Sequence, residues 1–190
     1  MVAFIDVLGQ KAEFNGIDSV PTDEESKKKL ISAHEETVIF LEMFRNCFVD
    51  IFETYINDKK PKVKVPSDKK KKFFKIRKAA LKHQRFSDCV QDFVPLETEM
   101  YHSNAVNGVF GILATCGGMM LMTLSQEKAF CAGIDLGLGT ELSNEEVYGP
   151  ALFKAYKLES KVAGYPRIVT GDDLMEYLKS LSQRQKQCDD

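Results

Sequence analysis

The chain has 190 residues, 44% hydrophobic and 28% charged, with a formal net charge of −2. That is one domain's worth of sequence, able to bury a sizeable core and too apolar for a disordered chain. Six Pro and 12 Gly exclude a collagen-like or low-complexity polymer.

Residues 2–8, Val-Ala-Phe-Ile-Asp-Val-Leu, form a short apolar run closed by Gly9, the pattern of a buried strand. Asp6 is the one charge inside it. A carboxylate in a core strand is costly unless it has a partner or a task. Pro21-Thr22-Asp23-Glu24-Glu25 reads as a helix start, with acids at the positive end of the dipole. Beyond it Val38, Leu41, Phe44, Phe48, Ile51 and Tyr55 step by threes and fours along a long amphipathic helix. That stripe faces either the chain's own core or a helical partner.

Thirteen of the 26 basic residues lie between Lys59 and Arg85, where Asp68 is the one acid. The stretch carries +12 and the rest of the chain −14. Residues 59–72 read as a basic loop or arm. Two strands follow, one beginning near Phe73–Arg77 and one over Cys89–Pro95, joined through a hairpin at Arg85-Phe86-Ser87-Asp88. A second helix is expected over 99–125, a strand over 128–137, a helix over 147–162, a strand at 167–169 and a last helix ending near Gln183. The whole is an α+β sandwich, a ferredoxin-like βαββαβ unit with helices on one face of a mainly antiparallel sheet.

No uninterrupted apolar run approaches the ~18 residues of a spanning helix, and Asp6 comes too early for a signal peptide. The five cysteines include no CxxC pair, and the three histidines have no zinc-ligand spacing. Reduced thiols in a cytoplasm, no structural zinc and no membrane contact are expected.

Asp6 and Asp88 both stand at strand ends that this topology makes neighbours. Two converging carboxylates repel unless a divalent cation lies between them, and hard oxygens suit Mg²⁺ or Mn²⁺. The same two residues serve equally as a turn cap and a hydrogen-bonded core aspartate. Gly9-Gln10-Lys11, where a strand ends and turns, suits a phosphate nest. Glu146 precedes the Gly149-Pro150 helix opening, and Lys157 lies two turns into that helix.

Phe4-Ile5-Asp6-Val7-Leu8-Gly9 with Phe86-Ser87-Asp88 resembles the metal-binding framework of class III nucleotidyl cyclases. Cys131-Ala132-Gly133-Ile134-Asp135 is similar to their Arg-Gly-Gly-Ile strand. Tyr148 to Ser160, then Tyr165-Pro166-Arg167-Ile168-Val169, looks most like the bacterial Pycsar pyrimidine cyclases. The resemblance implies cyclisation of a nucleoside triphosphate to its 3′,5′-cyclic monophosphate with release of pyrophosphate. It implies two divalent ions, Mg²⁺ or Mn²⁺, on Asp6, Asp88 and the Val7 backbone carbonyl. It also implies Gly9, Gln10 and Lys11 as phosphate loop, Gln84 and Glu146 as base readers, and Lys157 where purine cyclases place an arginine. A homodimer with the site at its interface, and a separate effector activated by the product in antiphage defence, come with the family. UTP is favoured over CTP.

Three positions depart from the pattern. Phe153 replaces the asparagine that orients ribose, Cys131 replaces the arginine of the Arg-Gly-Gly strand, and Lys157 cannot form arginine's bidentate fork. A catalytically degenerate, dimeric nucleotide-binding module is the alternative. The basic stretch lacks the aromatic interleaving of single-strand binders. No nucleic-acid partner is expected, and part of the charge is expected to steer nucleotide toward the site.

Overall fold

A computed structural model describes residues 1–10, 14, 17, 20–57, 66–69, 79–96, 103–142 and 146–189. Its elements are β1 (Val2–Val7), α1 (Glu24–Asn57), β2 (Lys82–Phe86), β3 (Cys89–Phe93), α2 (Ser103–Ser125), β4 (Phe130–Asp135), β5 (Thr140–Leu142), β6 (Glu146–Tyr148), α3 (Pro150–Lys157), a π-helical turn (Leu158–Val162), β7 (Ile168–Thr170) and α4 (Asp172–Asp189). The main sheet has the order β2-β3-β1-β4-β7. Its first four strands are antiparallel, and β7 adds parallel to β4. This is the expected α+β, ferredoxin-like sheet. Of the expected basic arm at 59–72, only Pro66–Lys69 lies within the described residues.

Alternation along β1 assigns the two faces. Ala3, Ile5 and Val7 join the large core with Phe44, Phe48, Phe52, Val109, Ile112 and Met119 from α1 and α2. Val2 and Phe4 join a smaller core with Ala151 and Ala155 of α3. The long helices therefore share one face, as expected, while the short α3 and its π turn cover part of the other. Asp23 caps α1, accepting from the Ser26 N–H at 2.8 Å. The buried stripe of α1 is Phe40, Leu41, Phe44, Phe48, Phe52 and Ile56, and the Phe44 ring meets Phe130 edge-on at 5.4 Å. The stripe faces the chain's own core.

Two elements differ from the sequence expectation. The strand paired with β3 is Lys82–Phe86, whereas Phe73–Arg77 lies outside the described residues. Glu146–Tyr148 is a strand, paired antiparallel with Thr140–Leu142, rather than the start of a helix. Gly149, at φ 132, enforces the break, and Pro150 opens α3 behind it. Helix α2 contains Ala105–Ser125, long and apolar enough by length and composition to cross a membrane, with mean hydropathy 1.6. Its Val109, Ile112, Cys116 and Met119 are buried against the α1 side of the core.

Candidate metal centre at the end of the sheet

Asp6 is the last β1 residue on the α3 face, in register with Cys89 of β3 and Cys131 of β4. The β2–β3 turn sits beside it. Ser87 takes φ 54, a left-handed residue that lets the chain reverse in two residues. Arg45 of α1 donates to the Ser87 carbonyl and ties the turn to the long helix. The Val7 N–H donates to the Asp88 carbonyl at 3.2 Å, fixing the turn to the end of β1.

These bonds bring Asp6 and Asp88 together, both partly buried, as the sequence suggested. A third group arrives with them. One ligand atom each from Asp6, Asp88 and Cys89 lie within 4.8 Å of one another. The Cys89 thiol donates to Asp6 Oδ1 at 3.5 Å and lies 4.0 Å from Asp88 Oδ1. Burial, then the Asp6 charge, pushes this thiol up to about 12. The neighbouring Cys131 thiol donates instead to the Ala163 and Tyr165 carbonyls, each at 3.3 Å.

A third carboxylate faces the pair. Glu159 is the one buried residue of the π-helical turn, 8% exposed. Burial first, and then the Asp6 charge, raises its pKa. Gly133 permits this approach, because a Cβ there would lie 2.6 Å from the Glu159 nitrogen. Asp6, Asp88 and Cys89 could together hold a metal ion.

The other expected residues are spread more widely. Gly9 turns at φ 89 where β1 ends, exposed and with open space around it. Gln10 is 5% exposed and its Nε2 has no partner among the described residues. Lys11 lies outside the described residues. Gln84 of β2 stands opposite Gln91 of β3, and both Oε1 atoms are buried without a partner among the described residues. Glu146 is exposed at the start of β6, a strand that touches β2. Lys82 pairs with Glu141 of β5, so this part of the basic stretch is bound within the chain.

Lys157 is not brought to the carboxylates. It lines a separate cavity of about 310 Å³ with Asp135, Lys154 and Asp173. Phe153 meets Tyr148 edge-on at 5.8 Å on the surface. Sequence reading missed Cys89 and Glu159 as members of the site. Adjacency to Asp88 was the available signal for the first, and the four- and eight-residue spacing from buried Ala155 and Ala151 was the signal for Glu159. No family model matches the chain, and no curated protein matches it.

Proposed function

We propose that the chain is a nucleotidyl cyclase that converts UTP, or less favourably CTP, to the 3′,5′-cyclic monophosphate and pyrophosphate. The observation that carries this reading is the meeting of Asp6 and Asp88, separated by 82 positions, at one sheet end. The ferredoxin-like sheet and the ordered resemblance across residues 4–174 support it.

In the reaction the ribose 3′-oxygen attacks the α-phosphorus, the bond to the bridging oxygen breaks, and the 3′-proton passes to solvent. Asp6, Asp88 and the Val7 carbonyl would hold Mg²⁺ or Mn²⁺, which supplies Lewis acidity at the 3′-oxygen and neutralises the triphosphate. Gly9 turns the backbone there, and Gln10 offers an unpaired buried donor for phosphate oxygen. Gln84 and Glu146, on touching strands, read the base edge. Lys157 lies on another cavity of its own chain, so its role at developing phosphate charge requires a second copy. Exposed Tyr148, Phe153 and Tyr156 on the α3 side give a homodimer apolar surface to bury. The product activates a separate effector in bacterial antiphage defence, within a reducing cytoplasm.

One observation favours a second reading, a dimeric cyclase-like nucleotide-binding module without turnover. Phe153 offers no donor to ribose and packs on Tyr148 instead. The two readings separate on incubation with each of the four nucleoside triphosphates and Mn²⁺, with products identified by mass. Cyclic UMP or cyclic CMP with pyrophosphate is expected, and no cyclic product from any nucleotide would sink the enzyme. Asp6→Asn and Asp88→Asn are each expected to lower turnover by about 10² or more with unchanged circular dichroism. Near-normal turnover in either would remove the metal assignment.

A further inference from the structure

We propose that Cys89 is a direct metal ligand beside Asp6 and Asp88, making this a mixed thiolate–carboxylate site that takes Zn²⁺ or Co²⁺ in preference to Mg²⁺. The inference rests on the reading above that the two aspartates bind metal, and goes beyond it in ligand set and cation class. Geometry carries it. Bonds of about 2.3 Å to sulfur and 2.1 Å to oxygen, at a tetrahedral angle, separate the two ligand atoms by about 3.6 Å. The Cys89 Sγ to Asp6 Oδ1 distance is 3.5 Å. The 4.0 Å to Asp88 Oδ1 exceeds that edge by a few tenths of an ångström, within a small side-chain rotation.

A second feature points to a cation at the same place. Glu159, 8% exposed in the π-helical turn that packs on β1, adds a further carboxylate to the same side of the sheet. Single π turns of this kind recur at functional sites. A divalent ion on the Asp6 side relieves the crowding of three carboxylates.

Ligand softness then decides the ion. Mg²⁺ demands oxygen and holds its water, whereas a thiolate favours Zn²⁺ and Co²⁺. The thiol proton is released to solvent as the metal–sulfur bond forms.

The test uses the full chain, freed of metal, titrated with Co²⁺. A sulfur-to-cobalt charge-transfer band in the near ultraviolet is expected. It should vanish in Cys89→Ser, and Asp6→Asn should weaken Co²⁺ binding about tenfold or more. Zn²⁺ should abolish the band at concentrations where Mg²⁺ leaves it intact, a comparison that needs no variant. Bound Co²⁺ without the band, a band undiminished in Cys89→Ser, or displacement by Mg²⁺ as readily as by Zn²⁺ would overturn the thiol assignment. Any of these leaves the cyclase reading to the nucleotide assay. The band without cyclic product from any nucleotide removes the cyclase and keeps the site. No Co²⁺ binding at all removes the thiolate–carboxylate site and again leaves the cyclase reading to the nucleotide assay.

Discussion

Asp92 lies one residue out of phase with the candidate metal centre, and its replacement by asparagine should stabilise the protein. On β3, Cys89 and Gln91 share the α3 face, so Asp92 falls with Val90 and Val94 on the face covered by α1 and α2. It is 1% exposed, and its Oδ2 has no partner among the described residues. Opposite it stand Ala3 on β1 and His83 on β2. Cys116 of α2 feels its charge, and among the described residues Arg85 is the one cation that acts on it. Burial dominates and lifts this carboxyl from 3.8 to about 8, with Arg85 opposing.

The folded protein therefore holds a proton on Asp92 that the unfolded chain releases above about pH 4. Stability falls as pH rises from there to about 8, where the folded state also ionises. The slope from this one group approaches 1.4 kcal/mol per pH unit. At pH 7, about three units above the unfolded value, the penalty is about 4 kcal/mol. Asparagine has the same shape and no charge to lose. Urea denaturation from pH 4 to 8 should find the wild type and Asp92→Asn close together at pH 4. They should then diverge, with the variant more stable by about 4 kcal/mol at pH 7. Parallel curves, or a variant less stable at pH 7, would show that Asp92 is ionised and satisfied in the fold.

Two further substitutions probe how the α3 face is built. Gly133→Ala inserts a Cβ against the Ala155 carbonyl and the Glu159 nitrogen, which should cost about 3 kcal/mol of unfolding free energy in urea. No measurable loss would mean that α3 and its π turn sit further from β4. Asp135→Ala removes the acceptor of the Leu174 N–H, a buried 3.1 Å bond by which β4 caps α4. A loss of about 1–2 kcal/mol is expected in the same assay, and an unchanged midpoint would show that the helix start is satisfied elsewhere.

Local chemistry made much of the fold legible. Asp23 announced the start of α1 and caps it. The apolar run of β1 and the two-residue reversal at Ser87-Asp88 appear where their residues place them. Lys82-His83-Gln84-Arg85-Phe86 was unreadable as β2 because an edge strand has one neighbour and keeps its polar residues. The β5–β6 hairpin escaped for a similar reason. Each strand has three residues, and Val147 is the one buried side chain among the six, too little to imprint a period. Glu159 escaped because a charged residue beside Ser160 and Lys161 reads as solvated, although its spacing from Ala151 and Ala155 puts it on the buried face of the helix. Asp92 was readable, since its alternation with Val90 and Val94 places a charge on the core face.

Asp6 and Asp92 lie on adjacent strands, and their different fates follow from strand parity and position. Asp92 points into the face closed by two long helices, where desolvation outweighs the single guanidinium acting on it and the proton is the cheapest neutraliser. Asp6 points to the other face at the strand end, beside a turn that is open to solvent at Ser87 and adds Asp88 and Cys89. Water can reach this side, so a metal ion can too, and further anionic groups strengthen its binding. A third acid beside Asp92 would deepen the cost of its burial. Glu159 beside Asp6 is the same chemical addition with the opposite consequence under the proposed reading, in which a cation would have a way in.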